Sequence, residues 1–589
     1  MKLSINRNTL WSDFFTNLLS SCGVKYVCLS PGSRSTPLTF SFASNEKFKS
    51  YVIVDERSSG FFALGLAKKS NTPVAIVTTS GTAVAELYPA IVEAYYQRIP
   101  LIVCTADRPV YLRDRGSNQT INQENIYKNQ IRYFADAGLP DITLKRFNEL
   151  KKISEDALAV AVSKDKGPVH LNFPFEKPFE PETYTDKVSL SFIEKISGIE
   201  FNNNFFDSAA DKNSRVVDLS NKIQKCEKGL ILCGYNSFNK KEVETILKFS
   251  DSTGYPIVAD GSSQFRFGKH GKKNIINNFS ALVRSDLFLE QFDHDIIVQF
   301  GSAPTSNVVN EFFKKSRAEK IIVNEFGDKN DPTLTAKKFI RYSVNEFCEP
   351  IIKKIGRRNS GWLNTILVLN KIAEQEKAKY FSNMPFNFEG KLAAGLIELL
   401  PNKVNLMISN SLSIRDIDFF ASCSQKEINI FTNRGASGID GINSTALGIA
   451  ESANEPTVLI TGDLAFYHDL NGLHNSLKYN IPLTIILVNN NGGGIFESLP
   501  ISSYGEIFEK NFRTPLNLNF VRFVKGYGGT YFKVRTKKEF ELKLGAAVKS
   551  KKLTVIEIVT DSKKSKQMRN NYWQLAAEKI KIAINANKN

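Results

Sequence analysis

No apolar run in the 589 residues approaches the roughly 18 that a membrane-spanning helix needs, which argues against an integral membrane protein. A signal-peptide pattern is also missing from the first residues. Leu10, Trp11, Phe14, Phe15, Leu18 and Leu19 recur at helical spacing with polar residues between them, the pattern of an amphipathic helix. Cysteine is sparse: seven residues, an odd number, with no CxxC pair. Several lie in apolar strand-like runs, so reduced core thiols and a cytoplasmic location are expected. Long basic tracts are lacking too. The formal charge of +17 is spread over pairs such as Lys68-Lys69, Lys240-Lys241 and Lys551-Lys552, and the densest cluster, residues 563–569, is short. No recognition motif accompanies these charges, so they read as solvated surface rather than a nucleic-acid footprint.

What is present is an ordinary globular composition, 42% hydrophobic and 23% charged, in a chain long enough for roughly two to four domains. Short apolar runs bounded by Gly, Pro, Ser or Asn predict strands at residues 25–29, 51–54, 74–79, 100–105 and 167–174, then at 229–233, 256–259, 295–300 and 320–323. A third set falls at 405–408, 457–460, 483–488 and 555–559. Helical patterns between them, including 58–68, 83–97, 362–377, 444–450 and 572–584, make this an α/β chain of three doubly wound domains with mainly parallel sheets. The expected units are 1–180, 214–350 and 387–589. A polar linker at 181–213 containing Asn202-Asn203-Asn204 and a connector at 351–386 join them. His170, inside an apolar run, reads as a hydrogen-bonded core residue.

The stretch from Gly462 to Phe496 is the most informative. Strands at 457–460 and 483–488 with a helix between them form one right-handed βαβ unit. Its two polar tips, Asp463 and Asn490, lie 27 residues apart at the carboxyl ends of adjacent strands, where open α/β sheets bind ligands. A carboxylate, an amide oxygen and a carbonyl from the turn Asn489-Asn490-Asn491-Gly492-Gly493-Gly494 are hard donors suited to Mg²⁺ carried by a diphosphate. Taken alone, the same residues also describe a capped helix and an Asn/Gly turn. Other loops point to anions. Ser30-Pro31-Gly32-Ser33-Arg34-Ser35-Thr36-Pro37 opens a helix, and backbone N–H groups in Asn433-Arg434-Gly435-Ala436-Ser437-Gly438-Ile439-Asp440-Gly441 can cradle a diphosphate.

Gly462-Asp463 followed by Asn489-Asn490 resembles the metal-diphosphate motif of thiamine-diphosphate enzymes, with Leu464 where that family usually has Gly. The resemblance implies thiamine diphosphate held through Mg²⁺ or Mn²⁺, with Asp463, Asn490 and the Gly492 carbonyl as metal ligands. It assigns Glu56, after an apolar run, to the residue that hydrogen-bonds the aminopyrimidine ring, and Ile439 to the prop under the cofactor. Ser411, Gly435, Ala436, Ser437 and Leu464 complete the implied cofactor set. Three α/β units with Glu56 in the first and the metal motif in the third are similar to the pyruvate-oxidase/decarboxylase group. That group implies a homodimer or homotetramer with active sites between subunits.

The long blocks around Arg34, Thr105-Ala106-Asp107-Arg108-Pro109, Arg434 and Asn490 resemble one branch of the family, the carboligases of menaquinone biosynthesis. The resemblance implies decarboxylation of 2-oxoglutarate and 1,4-addition of the succinyl unit to isochorismate. Both substrates are dicarboxylates, which suit the bidentate donors of Arg34, Arg108, Arg415 and Arg434. By resemblance Ser33, Arg34, Asn118 and Gln119 face isochorismate, while Ser411, Arg415 and Arg434 hold carboxylates or the adduct. Ile495, Phe496 and Leu499 form an apolar wall. One departure stands out: after Gly301-Ser302-Ala303-Pro304-Thr305-Ser306 the branch commonly has a Lys that binds substrate carboxylate, and this chain has Asn307. Another thiamine-diphosphate decarboxylase or carboligase, or a catalytically silent binder of the cofactor, are the alternative readings.

Overall fold

Runs such as Val74–Thr78 (VAIVT) and Ile296–Phe300 (IIVQF) are apolar at four of five positions because both faces of their strands are covered, and every residue in them is buried. In the computed structural model, which describes residues 2–201 and 213–586, such runs build three six-stranded parallel sheets. The first runs in the order Lys49–Val52, Tyr26–Leu29, Val74–Thr78, Leu101–Asp107, Val169–Pro174, Tyr133–Asp136. The second runs Ile275–Ile276, Ile257–Ala259, Gly229–Cys233, Ile296–Phe300, Glu319–Val323, Ala336–Ile340. The third runs Ile428–Thr432, Val404–Ile408, Thr457–Gly462, Thr484–Asn489, Thr554–Val559, Thr530–Val534. Among the described residues no helix is long and apolar enough to cross a membrane.

The first and third units meet through two helices. Glu56–Ser70 crosses Ile442–Glu451 so closely that a Cβ on Gly65 would lie 2.1 Å from the Thr445 carbonyl oxygen. Phe61, Phe62, Ile442, Ala446 and Ile449 are buried around this crossing and share a core cluster with strands of both sheets. This packing fixes the first turn of Glu56–Ser70, and with it Glu56, against the third unit.

Several sequence expectations need correction. The strand expected at 51–54 is Lys49–Val52. Asp55 then caps the next helix by accepting the Ser58 amide at 3.0 Å, which draws Glu56 into the first helical turn. The helix expected at 83–97 is two, Thr82–Glu86 and Tyr88–Gln97, with Pro89 in the first turn of the second. The expected linker holds structure. Asp186–Ser189 pairs antiparallel with Lys2–Ile5, Asp186 takes two hydrogen bonds from Arg7 (2.8 and 2.7 Å), and Leu190–Ser197 buries Ile196. Asn202, Asn203 and Asn204 lie outside the described residues. The helix expected at 362–377 in the connector is present and longer, Gly361–Ser382, and its Ile366, Leu369, Ala373 and Phe381 join a core cluster. The strands not anticipated, such as Ile275–Ile276 and Ala336–Ile340, are sheet edges that are short or carry exposed lysines. His170 is buried, bonded to Thr105 Oγ1 at 2.7 Å, and burial pulls its pKa down to about 3, so it is neutral.

Candidate active site

The carboxyl ends of Val404–Ile408, Thr457–Gly462 and Thr484–Asn489 open into a cleft of about 320 Å³. Its lining brings together Ser411, Arg415, Arg434, Ser437, Ile439, Asp463, Leu464, Asn490, Gly492, Ile495 and Phe496, which are spread over 86 residues of sequence. Leu499, expected in the apolar wall, is not part of it. The turn Gly494–Ser498 ends in extended backbone that leaves Leu499 47% exposed.

Asp463 is 2% exposed and accepts backbone amides, Leu464 N at 2.9 Å and Gly492 N at 2.7 Å. Burial, opposed by these amides, pushes its pKa up to about 6. Asn490 donates its amide to Glu389 Oε1 at 3.0 Å, leaving its own Oδ1 buried without a hydrogen-bond partner among the described residues. The Gly492 carbonyl accepts one bond, from Gly494 N at 2.9 Å, and keeps a second lone pair. A desolvated carboxylate and an orphaned amide oxygen on one cleft fit a divalent cation that draws its remaining ligands from phosphate and water. Among the described residues no group of three His, Cys, Asp or Glu could hold a metal by itself.

A set of residues not anticipated from sequence orients Asn490. Glu389 is 4% exposed and accepts from Asn490, from Thr560 Oγ1 at 2.8 Å and from Arg569 Nη2. Arg569 also grips both oxygens of Asp416, at 2.8 and 2.7 Å. Arg569 belongs to the basic cluster read as surface charge. In helix Ser562–Ala586, however, it stands four residues from Ser565 and three from Tyr572, both buried, so helical spacing alone marks it as inward-facing.

Arg415 donates to the Ser411 carbonyl at 2.7 Å, and Arg434 reaches Asn410 Oδ1 at 3.4 Å. Burial, and then the charge of Arg434, pull the pKa of Arg415 down. Two guanidinium groups thus share the cleft, and neither has an ion pair with a carboxylate among the described residues. The expected diphosphate cradle is different: the amides of Gly435 and Ala436 are taken by the Glu93 carboxylate at 2.9 and 2.7 Å, so they are not free for an anion.

The first unit carries a second cluster. Arg34 donates to the Phe175 carbonyl at 2.7 Å and stacks on Phe179, and burial followed by the charge of Arg108 lowers its pKa. Arg108 donates to Ser80 Oγ at 2.7 Å. Ser80 in turn bonds the Gln119 carbonyl at 2.9 Å, and Gln119 Nε2 returns to the Ser80 carbonyl at 3.1 Å. Ser33 and Asn118 are exposed beside them. Glu56 is half-buried, with its pKa raised by burial and then by Asp55 and Glu86. Neither this cluster nor Glu56 lines the cleft of its own chain. Asn307 is exposed at the first position of helix Asn307–Lys315 and borders no cleft described here. A larger cleft of about 720 Å³ opens where the three units meet, with Arg434 and Gly435 on its border.

Three family models match the chain: "Thiamine pyrophosphate enzyme, N-terminal TPP binding domain" over residues 11–126, "Middle domain of thiamine pyrophosphate" over 202–408, and "Thiamine pyrophosphate enzyme, C-terminal TPP binding domain" over 424–558. Among similar relatives is the 2-succinyl-5-enolpyruvyl-6-hydroxy-3-cyclohexene-1-carboxylate synthase of Bacillus cytotoxicus, 38% identical over 570 residues and 96% of each chain. The Geobacillus thermodenitrificans protein of the same name is 36% identical over 569 residues and 96% of each. Among solved structures, a thiamine diphosphate-dependent 4-hydroxybenzoylformate decarboxylase of Rhodococcus jostii RHA1 superposes with a TM-score of 0.68 at 14% identity, covering 94% of this chain and 99% of its own. Benzoylformate decarboxylase of Polynucleobacter necessarius gives 0.67 at 17% identity, with 94% and 98% covered. At these identities the two structures speak for the fold alone.

Proposed function

The chain belongs to the 2-succinyl-5-enolpyruvyl-6-hydroxy-3-cyclohexene-1-carboxylate synthase family of thiamine pyrophosphate enzymes, and on that premise we propose that it joins 2-oxoglutarate to isochorismate with loss of CO₂. The carbon skeletons combine, one carboxylate leaves as CO₂, and one proton is taken up. The observation that carries the reading is the cleft itself: Asp463 and the orphaned Asn490 oxygen at one place, and the guanidinium pair Arg415 and Arg434 at another.

Asp463, Asn490 and the Gly492 carbonyl would hold Mg²⁺ or Mn²⁺ and through it the diphosphate, with Ile439, Ser411, Ser437 and Leu464 bordering the cofactor. When bound, thiamine diphosphate supplies a carbon acid that can add to a 2-oxo carbon and hold the electron pair that loss of CO₂ leaves. The protein's part is binding, orientation and proton control. Arg415 and Arg434 relieve their mutual repulsion by taking a substrate carboxylate. Arg34 and Arg108, also mutually repelling, do the same for the second substrate, beside Ser33, Asn118 and Gln119. Ile495 and Phe496 keep water from the developing charge. The Glu56 carboxyl, with its pKa raised by burial, would hydrogen-bond the cofactor and exchange a proton with it.

Glu56 does not reach the cleft of its own chain, and this supports a second copy completing each site. Val54, two residues before Glu56, is 74% exposed, and Tyr467, four residues after Asp463, is 47% exposed. Both are apolar surfaces that such a copy would cover. The proposal includes the division into units 1–180, 214–350 and 387–589, with Glu56 in the first and the cation set in the third. An acetolactate-type carboligase is disfavoured by four arginines in two clusters. The test is mass spectrometry of protein incubated with thiamine diphosphate, Mg²⁺ and both substrates. A product weighing the sum of the two acids less CO₂ supports the reading, and unchanged substrates refute it.

A further inference from the structure

We propose that Glu93 and Lys68, two buried charges of the first unit, are positioning residues that hold Arg434 in the cleft of the third unit; this rests on the functional reading above, which puts Arg434 on a substrate carboxylate. Glu93 is 2% exposed, on helix Tyr88–Gln97, and Lys68 is 7% exposed, near the end of helix Glu56–Ser70. The two oxygens of Glu93 accept consecutive amides, Gly435 N at 2.9 Å and Ala436 N at 2.7 Å. Lys68 Nζ donates to the Thr432 carbonyl and to Asn433 Oδ1, both at 2.7 Å. Gln97 adds a bond to the same Thr432 carbonyl at 3.0 Å. The chain is therefore gripped at Thr432 and the Asn433 side chain before Arg434, and at the Gly435 and Ala436 amides after it. The contact is close: a Cβ on Gly435 would come within 2.8 Å of the Glu93 carbonyl oxygen.

The loop needs such a grip. The Arg434 side chain has one hydrogen bond among the described residues, a long one of 3.4 Å, and it faces the like charge of Arg415 across an open cleft. Its other side borders the 720 Å³ cleft, which offers no packing support. Arg415 is tied to its own helix through the Ser411 carbonyl. Arg434 is held through its neighbours, by charge-assisted bonds whose donors and acceptors are shielded from water. Neither Glu93 nor Lys68 lines the catalytic cleft, so any effect they have on substrate is exerted through Arg434.

Glu93→Gln keeps the side-chain shape but leaves one acceptor oxygen for two amides. Lys68→Met keeps the length and removes both donors. The experiment is steady-state kinetics with thiamine diphosphate, Mg²⁺ and both substrates, together with hydrogen exchange at the Gly435 and Ala436 amides. For Glu93→Gln the inference predicts a KM for one dicarboxylate raised about tenfold or more, with kcat and cofactor affinity within about threefold. Exchange at the two amides should accelerate about tenfold or more. Lys68→Met should show the same KM-selective change. Unchanged KM despite faster exchange would overturn the positioning role. So would a joint fall of kcat, cofactor affinity and melting temperature in both variants, which marks a merely structural part. If the wild-type protein does not turn over this substrate pair, the functional reading fails instead. Exchange then decides the grip alone: acceleration in Glu93→Gln supports it, and unaltered protection overturns it.

Discussion

Replacing Glu389 by Gln separates a site that merely contains Asn490 from one that orients it. Three donors converge on this buried carboxylate: Asn490 Nδ2 at 3.0 Å, Thr560 Oγ1 at 2.8 Å and Arg569 Nη2. An amide has one acceptor oxygen, so it cannot serve Arg569 on one side and Asn490 with Thr560 on the other. Arg569 claims the oxygen, being a cation with a fixed fork, and the new NH₂ then meets the NH₂ of Asn490. The least costly relief is for Asn490 to turn over, which buries its oxygen against the new donor and presents NH₂ to the cation site. Losing that oxygen as a ligand, with one buried hydrogen bond unmade, costs about 1.4–2.8 kcal/mol. Mg²⁺-dependent binding of thiamine diphosphate should therefore weaken about 10–100-fold, the range found for residues that orient metal ligands. The assay is calorimetric titration of cofactor at fixed Mg²⁺, with circular dichroism to confirm folding. Thr560→Val, which removes only the second donor, should change affinity by less than about threefold. Equal affinity in wild-type and folded Glu389→Gln protein would refute the orientation argument.

Three other outcomes follow from the same geometry. Burial holds Asp463 at about 6 in the metal-free protein, so cation binding displaces a proton below that pH. Apparent Mg²⁺ affinity should fall, by up to about tenfold per pH unit, as pH drops below about 6. Because the folded-state pKa is raised, this carboxyl favours the metal-free fold most below its ordinary value of 3.8 and loses that contribution as pH rises through about 6. A site shared by two copies should be restored by mixing inactive Glu56→Gln and Asp463→Ala proteins. Random exchange of copies would recover about one quarter of wild-type turnover, and no recovery would place the site within one chain. Gly65→Ala pushes a methyl to 2.1 Å from the Thr445 carbonyl, so the melting temperature should fall by an amount matching overpacking of about 1–3 kcal/mol or more; an unchanged value would show that the helix crossing adjusts freely.

Central strands were legible because burial on both faces writes them as continuous apolar runs, as in Val74–Thr78 and Thr484–Asn489. Most edge strands were not: Ala336–Ile340 and Thr530–Val534 pair on one side only, are less buried, and have lysines breaking the apolar run, whereas of the edges only Lys49–Val52 was read. Residues of the cleft that are contributed by strand tips were recovered from local motifs: Asp463, Asn490 and Arg434 each close a strand-to-loop segment. What no local motif reveals is the partner supplied from far away in sequence. Glu93 meets Gly435 and Ala436 across more than 300 residues, and it turns a glycine loop that looks like an anion cradle into a packed contact. Glu389 and Arg569, 180 residues apart, are linked only by folding, although helical phase already set Arg569 apart from its exposed neighbours.

The central claim is tested most directly by CO₂ released from 2-oxoglutarate in the presence of thiamine diphosphate and Mg²⁺, with and without isochorismate. Release that depends on isochorismate, matches the adduct mole for mole, and is lost in Glu56→Gln is the predicted result. Equally fast release without isochorismate, or none under either condition while cofactor remains bound, would contradict it.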